Sequence, residues 1–279
     1  MEGKIVKIVS NLYTVEANNQ LYDCHARGKF RNDKLTPLVG DECEIDEVNN
    51  YILNIKERKN ELKRPVIANV DVALIITSCK SPDLSLYLLD KLLCNVYLSK
   101  IEPIICFTKL DLLKSSELKE IKNLKKYYAK LGIKVVFNTE KWEIKRLLKN
   151  KVVVLTGQTG AGKSTLLNSL DKHLNLKTQD ISTALGRGKH TTRHVELFKI
   201  GKCLIADTPG FSALDFDDVN IEDLQHCFKE FNNYQCEFRD CKHLNEKNCM
   251  VKNAVFDGRI LNSRYDNYLK FIKEVEEWK

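Results

Sequence analysis

No apolar run in this sequence is long enough to cross a bilayer. The longest, Val70–Ser78, Pro103–Thr108 and Lys151–Thr156, fall far short of the roughly 20 residues a spanning helix needs. No secretory leader is expected either, because Met1–Ser10 mixes charges into its apolar residues. Without a leader, ten cysteines make a weak case for disulfides. Cys79, Cys94, Cys106 and Cys203 sit in apolar contexts, as buried reduced thiols do. A cytoplasmic address is expected, with no membrane partner. Basic charge is unevenly spread: of the net +7, the stretch Leu112–Lys151 holds 12 Lys/Arg against 4 Asp/Glu. It suits either an anionic partner such as RNA or the solvated face of a lysine-rich helix.

With 279 residues, the length suggests about two domains, and the pattern along the chain divides it further. Residues 1–66 read as short strands (Gly3–Ser10, Leu12–Ala17, Gln20–His25, Asp41–Val48, Tyr51–Ile55) separated by Asn, Gly and Asp clusters. Their number and spacing suggest a small OB-like β-barrel. Arg27, Lys29, Phe30 and Arg31 bring basic and aromatic side chains into one loop there. The charged segment Glu57–Pro65 reads as a linker. Strands at Val70–Ser78, Glu102–Thr108, Ile133–Phe137 and Lys151–Thr156 then alternate with helices at Leu84–Ser99, Glu117–Leu131 (capped by Ser115 or Ser116) and Trp142–Leu148. That alternation predicts a parallel sheet covered on both faces, an α/β domain over 67–214. Residues 215–279 read as a helical, cysteine-rich third domain ending in an amphipathic helix over Asn262–Lys279.

Gly157-Gln158-Thr159-Gly160-Ala161-Gly162-Lys163-Ser164, followed by Thr165, matches G-x-x-x-x-G-K-[ST]. An apolar strand enters it and a helix leaves it, as the motif requires. Glycines let backbone N–H groups converge on phosphate oxygens, and the helix presents its positive end. Lys163 neutralises β- and γ-phosphate charge, and the Ser164 hydroxyl suits Mg²⁺. Downstream, the strand Lys202–Ala206 ends in Asp207-Thr208-Pro209-Gly210. Asp207 would hold Mg²⁺ and the Gly210 N–H would meet the γ-phosphate. Between them, Gly186–Arg193 reads as a mobile loop whose Thr192, or failing it Thr191, can close over Mg²⁺. Phe211 stands where Ras-like GTPases carry the glutamine that positions water. His190 is the candidate to orient water instead, against the alternative of a solvent-exposed loop histidine.

Thr108-Lys109-Leu110-Asp111 resembles the guanine-reading N-K-x-D motif. A carboxylate at Asp111 accepts from both N1–H and the exocyclic amine of guanine, and adenine lacks that donor pair. Lys109 would lie along the base and brace the phosphate loop. Thr replaces Asn at position 108, which predicts one hydrogen bond fewer to the base. This motif precedes the phosphate loop, the reverse of the usual order, and so implies a circular permutation. Cys236-x4-Cys241-x-His243-x5-Cys249 offers three thiolates and an imidazole within 14 residues, a set suited to tetrahedral Zn²⁺. Four protein ligands leave no open position, so the expected zinc is structural.

Together these motifs resemble the circularly permuted bacterial GTPases known as ribosome small subunit-dependent GTPase A. The similarity spans essentially the whole chain: an OB-like start, T-K-L-D ahead of G-Q-T-G-A-G-K-S-T, then G-R-G-K-H-T-T, D-T-P-G-F and the C-x4-C-x-H-x5-C knot. The resemblance implies GTP hydrolysis stimulated by the small (30S) subunit, rRNA binding and a role late in subunit maturation. It also implies that His190 takes part in hydrolysis and that the OB-like and zinc domains contact the ribosome; a monomer is expected. Other readings are a GTP-regulated RNA-binding module, a P-loop ATPase, an RNA-modifying enzyme and a zinc hydrolase. The RNA-modifying enzyme would need a second catalytic constellation, and the sequence offers none.

Overall fold

The computed structural model describes residues 1–28, 30, 35–63, 66–171, 196–206, 216 and 219–277. Strands β1 (Glu2–Val9), β2 (Leu12–Ala17), β3 (Gln20–Ala26), β4 (Glu42–Asp46) and β5 (Tyr51–Ile55) close into a barrel in the order β1-β2-β3-β5-β4. Asn18 and Asn19 both adopt positive φ (50° and 61°) between β2 and β3, the backbone a two-residue hairpin needs and asparagine tolerates. Strict alternation turns Tyr13, Val15 and Ala17 inward, to meet Ile5, Cys24, Ile45 and Ile52. Phe30 belongs to this core at 4% exposure, so its ring is not offered to a ligand as its basic neighbours suggested. Lys29 and Arg31 lie outside the described residues.

The stretch expected to be a linker carries structure. Strand β6 (Glu61–Lys63) pairs antiparallel with β7 (Val66–Ala68), and Leu62 and Ile67 are buried. The charges that suggested a linker are consumed locally. The Arg58 guanidinium donates to both carboxylate oxygens of buried Asp41, at 2.7 and 2.8 Å, and to the Thr36 carbonyl at 2.6 Å. Burial of a carboxylate is tolerable when it is paired and hydrogen-bonded in this way, and Asp41 also accepts from the Leu38 N–H at 2.7 Å.

The central domain runs β8 (Val72–Ser78), α1 (Leu86–Leu98), β9 (Glu102–Thr108), α2 (Ser115–Lys130), β10 (Lys134–Phe137), α3 (Lys141–Leu148), β11 (Val152–Thr156), α4 (Lys163–Leu170), β12 (Leu197–Ile200) and β13 (Cys203–Ala206). Its six-stranded sheet has the order β10-β9-β8-β11-β13-β12. All neighbours are parallel except the edge pair β12 and β13. Every residue of β8 is buried, as a central strand covered on both faces requires. Residues of α1 and α2 (Leu89, Leu93, Ile121, Tyr128) pack in one apolar cluster, and those of α3 and α4 (Ile144, Leu148, Leu166, Leu167) in another. Helix α1 is capped by Ser85, whose hydroxyl accepts from the Leu88 N–H at 3.2 Å. Helix α2 starts at Ser115 without a serine cap; instead the Glu117 carboxylate reaches back to the Lys114 N–H at 2.6 Å. The barrel docks on the β12 edge, where Val6 and Val39 join Leu197 in the core and Lys7 bridges Glu196.

The third unit holds α5 (Ile221–Cys227), α6 (Met250–Phe256) and α7 (Asn262–Glu277) around Phe228, Phe231, Tyr268 and Phe271. It is joined to the central domain by a buried ionic group. Arg264 of α7 donates to Asp90 of α1 at 2.6 Å and to both oxygens of Glu230 at 2.7 and 2.9 Å. Asn267 and Tyr128 complete the shell of Asp90, at 2.7 and 3.0 Å. No described helix is long and apolar enough to cross a membrane.

Candidate functional site

In an open parallel sheet a ligand sits beyond the carboxyl ends of the strands, where the winding reverses. Here the chain winds outward from β8 through β9 to β10, then returns across β8 to β11. The reversal lies between the ends of β8 and β11, and the 157–164 loop leaves β11 at that point. Its first glycine is required by contact as well as conformation. Gly157 has φ +135°, and a Cβ there would fall 2.0 Å from the Ile76 carbonyl oxygen of β8. Gly160 and Gly162 also take positive φ, +77° and +92°. With the Ala161 N–H donating to the Gln158 carbonyl at 3.1 Å, the loop curls over the first turn of α4. Gly162 precedes that helix as its cap residue, Lys163 opens it, and Ser164 is buried at 8% exposure. Thr159 and Thr165 are exposed beside them. The Lys163 ammonium donates to the Gly157 carbonyl at 2.8 Å and the Gln158 carbonyl at 3.1 Å. Burial lowers its pKa, so bound anionic oxygens would favour its charged form.

The second motif meets the first at one hydrogen bond. Thr108 ends β9 at 3% exposure, and its hydroxyl donates to the Ala161 carbonyl at 2.7 Å. Sequence reasoning took Thr108 as a shortened base contact; in the fold its side chain is committed to the phosphate loop. Lys109 follows in a left-handed conformation, φ 59°, and its ammonium donates to the Ser81 carbonyl. Ser81 starts the loop beyond β8, where Pro82 Cδ lies 3.6 Å from the Cβ position of Gly160. Lys109 therefore braces the loop beside the phosphate cradle. Leu110 and Asp111 form a short 3₁₀ turn over Leu110–Leu112, with Asp111 exposed. The Ser81-Pro82 contribution was not anticipated, since nothing in that dipeptide signals a nucleotide. His190, Thr191, Thr192, Asp207, Gly210 and Phe211 lie outside the described residues.

Cys236, Cys241, His243 and Cys249 converge, with all ligand atoms within 4.8 Å of one another. His243 Nδ1 lies 3.6, 3.4 and 3.3 Å from the sulfurs of Cys236, Cys241 and Cys249, and Cys236 Sγ is 3.9 Å from Cys249 Sγ. Tetrahedral zinc, with bonds of about 2.3 Å to sulfur and about 2.05 Å to nitrogen, sets edges of about 3.8 and 3.5 Å. The donor set could thus hold zinc. Burial lowers the His243 pKa, which keeps the imidazole in its neutral, metal-binding form. Helix α7 steadies the knot: Tyr265 donates to the His243 carbonyl and Tyr268 to the Lys242 carbonyl, each at 2.6 Å.

Comparison with known proteins decides the class. The family model described as RsgA GTPase matches residues 55–217, and the RsgA N-terminal domain model matches residues 2–52. The chain belongs to the RsgA GTPase family. Among its relatives, the small ribosomal subunit biogenesis GTPase RsgA 2 of Oceanobacillus iheyensis is 47% identical, over 99% of this chain and 97% of that one. The RsgA of Bacillus cytotoxicus is also 47% identical, over 100% of this chain and 98% of its own. YjeQ from Thermotoga maritima superposes with a TM-score of 0.85 at 36% identity, covering 98% of this chain and 97% of that one. YloQ, a circularly permuted GTPase, gives 0.84 at 36% identity, covering 100% and 96%. As an RsgA GTPase the chain is a GTP hydrolase of permuted motif order, with the β-barrel and cysteine–histidine unit that its sequence predicted.

Proposed function

We propose that this protein binds the small ribosomal subunit and its rRNA and hydrolyses GTP there late in that subunit's maturation, with turnover stimulated by the subunit. The observation that carries the GTP part is the Thr108–Ala161 hydrogen bond, which ties a guanine-reading segment to a phosphate cradle 53 residues further along the chain. The subunit part rests on the printed names of relatives 47% identical over nearly the whole chain. Work on ribosomal subunits goes with a cytoplasmic location. Residues 1–66, 67–214 and 215–279 correspond to the barrel, nucleotide and zinc units of one monomer, except that the β6–β7 pair straddles the first boundary and buries Leu62 and Ile67 in the central cluster.

In this reading the loop N–H groups of 157–164 and the N-terminus of α4 hold the triphosphate. Lys163 neutralises the β- and γ-oxygens, and Thr165 and Gln158 complete the cradle. Asp111 accepts from guanine N1–H and N2–H, while Thr108, Lys109 and Leu110 keep that carboxylate in register with the loop. Ser164, Thr192 and Asp207 would hold Mg²⁺, which supplies charge neutralisation at the phosphates when bound. Gly210 donates to the γ-phosphate, and His190 orients the attacking water, which Phe211 cannot do. One Zn²⁺ on Cys236, Cys241, His243 and Cys249 is structural, since all four positions are protein ligands.

Turnover of GTP measured with and without purified small subunits tests the proposal. Stimulation at a constant protein concentration is expected. Equal rates would favour the alternative, an RNA-binding module that uses GTP only for regulation.

A further inference from the structure

The lysine-rich stretch 112–151 is not absorbed by the nucleotide site, and the fold gathers it around one sheet edge. Strand β10 is the outer strand of the sheet, with α2 packed on one face beside it and α3 on the other. Lys125 of α2 reaches around the edge to Glu140, the residue ahead of α3, at 2.6 and 2.8 Å, and lies 4.1 Å from the centre of the Phe137 ring. The acidic side chains of this region are largely spent. Glu117 pairs with Lys80, Glu140 with Lys125 and Glu143 with Arg146. Exposed Lys122, Lys126, Lys130, Lys134, Lys141 and Lys145 have no ion pair among the described residues. Lys125 and Lys134 stand near enough to Glu143 to add to the lowering of its pKa, which comes first from its hydrogen bond to Arg146.

An exposed aromatic ring belongs to the same stretch. Trp142, in the first turn of α3, is 74% exposed, although indole is among the side chains that gain most from burial. Arg146 lies 5.9 Å from the ring centre. Its guanidinium is held there by Glu143 through contacts of 2.8 and 2.5 Å. The core of a protein–protein interface favours tryptophan and arginine but is depleted of lysine. An exposed tryptophan on the same short helix as exposed Lys141 and Lys145, neither in an ion pair among the described residues, fits a ligand with both flat apolar faces and regularly spaced negative charge. Unpaired nucleic acid has both features.

We propose that the β10 edge, with Trp142 as a base-stacking platform and Lys134, Lys141 and Lys145 on phosphates, binds an unpaired RNA strand. The proposal deepens the reading of the protein as an rRNA-binding GTPase and gives the central domain an RNA contact of its own. Lysines on the edge strand also block edge-to-edge pairing, but that role needs no exposed indole.

The test uses the full chain carrying Trp278→Phe, so that Trp142 is the one fluorophore of its kind. Titration with a 12-nucleotide oligouridylate should quench Trp142. Trp142→Ala should weaken binding of labelled oligouridylate about tenfold, the loss of one stacked base. Lys141→Ala with Lys145→Ala should flatten the salt dependence by about 0.7 per lysine removed. Basal GTP turnover should stay unchanged in these variants and so reports intact folding. Unquenched Trp142 at saturating RNA would overturn the proposal, as would equal RNA affinity in Trp142→Ala. Quenching by polyglutamate equal to that by RNA would overturn it too, by marking a surface for acidic protein. A subunit that fails to stimulate GTP turnover while oligouridylate still quenches Trp142 would count against the ribosomal reading and leave this one standing.

Discussion

Gly157 cannot carry a side chain without driving β11 from β8. A methyl group there would lie 2.0 Å from a main-chain oxygen that cannot turn aside, at a φ of +135° that alanine disfavours. Gly157→Ala is therefore expected to abolish GTP binding in an equilibrium assay with a fluorescent GTP analogue, and to lower thermal stability as well. Thr108 allows a finer experiment. Thr108→Val keeps the volume but removes the donor to Ala161, leaving a buried carbonyl unpaired at a cost of about 1–3 kcal/mol. Urea unfolding should show that loss, while Thr108→Ser should show most of it restored. Lys163→Ala should bind GTP too weakly to measure in the same assay; unchanged affinity would remove Lys163 from the site. The glycines and Lys163 were legible because the phosphate loop has a fixed spacing with a mechanism behind each position. The role of Thr108 was not, because a threonine's partner depends on which strand ends lie side by side, and sequence order hides that.

At the scale of elements, two clusters hold the third unit together. Arg264 is 1% exposed between Asp90 and Glu230, so Arg264→Met would strand two carboxylates in the interior. Breaking a buried pair in this way costs about 3–5 kcal/mol. Chemical denaturation of the variant should show a loss of that size, and a loss below about 1 kcal/mol would mean that water reaches the site. The cysteine–histidine knot should bind one zinc per chain by elemental analysis. A strong chelator should lower the melting temperature and free Cys236, Cys241 and Cys249 to thiol reagents. The ligand spacing made the knot visible in the sequence, as did the apolar face of α7. Two elements were misread for one reason, that charged residues look solvated in sequence. Arg58 is consumed by buried Asp41 just ahead of the β6–β7 pair, and Glu117 caps α2 in place of a serine.

Across the whole molecule, the permuted order was legible because two motifs with independent physical meanings occur in the reverse of their usual sequence. The parallel sheet explains why that order is harmless: Thr108 and Gly157 leave strands on either side of β8 and point to the same edge. The barrel followed from the number and spacing of its short strands, with Asn18 and Asn19 marking one of its turns. Its docking against β12 did not, since Val6, Val39 and Leu197, which share one apolar cluster, lie far apart in the chain. The central claim is that a carboxylate placed before the phosphate loop selects the base bound after it. Asp111→Asn tests it most directly, through turnover of GTP against xanthosine triphosphate by the full chain. The variant should lose activity on GTP and gain it on xanthosine triphosphate, whose base offers an acceptor where guanine offers a donor. An unaltered preference for GTP would contradict the assignment of Asp111, and with it the permuted site.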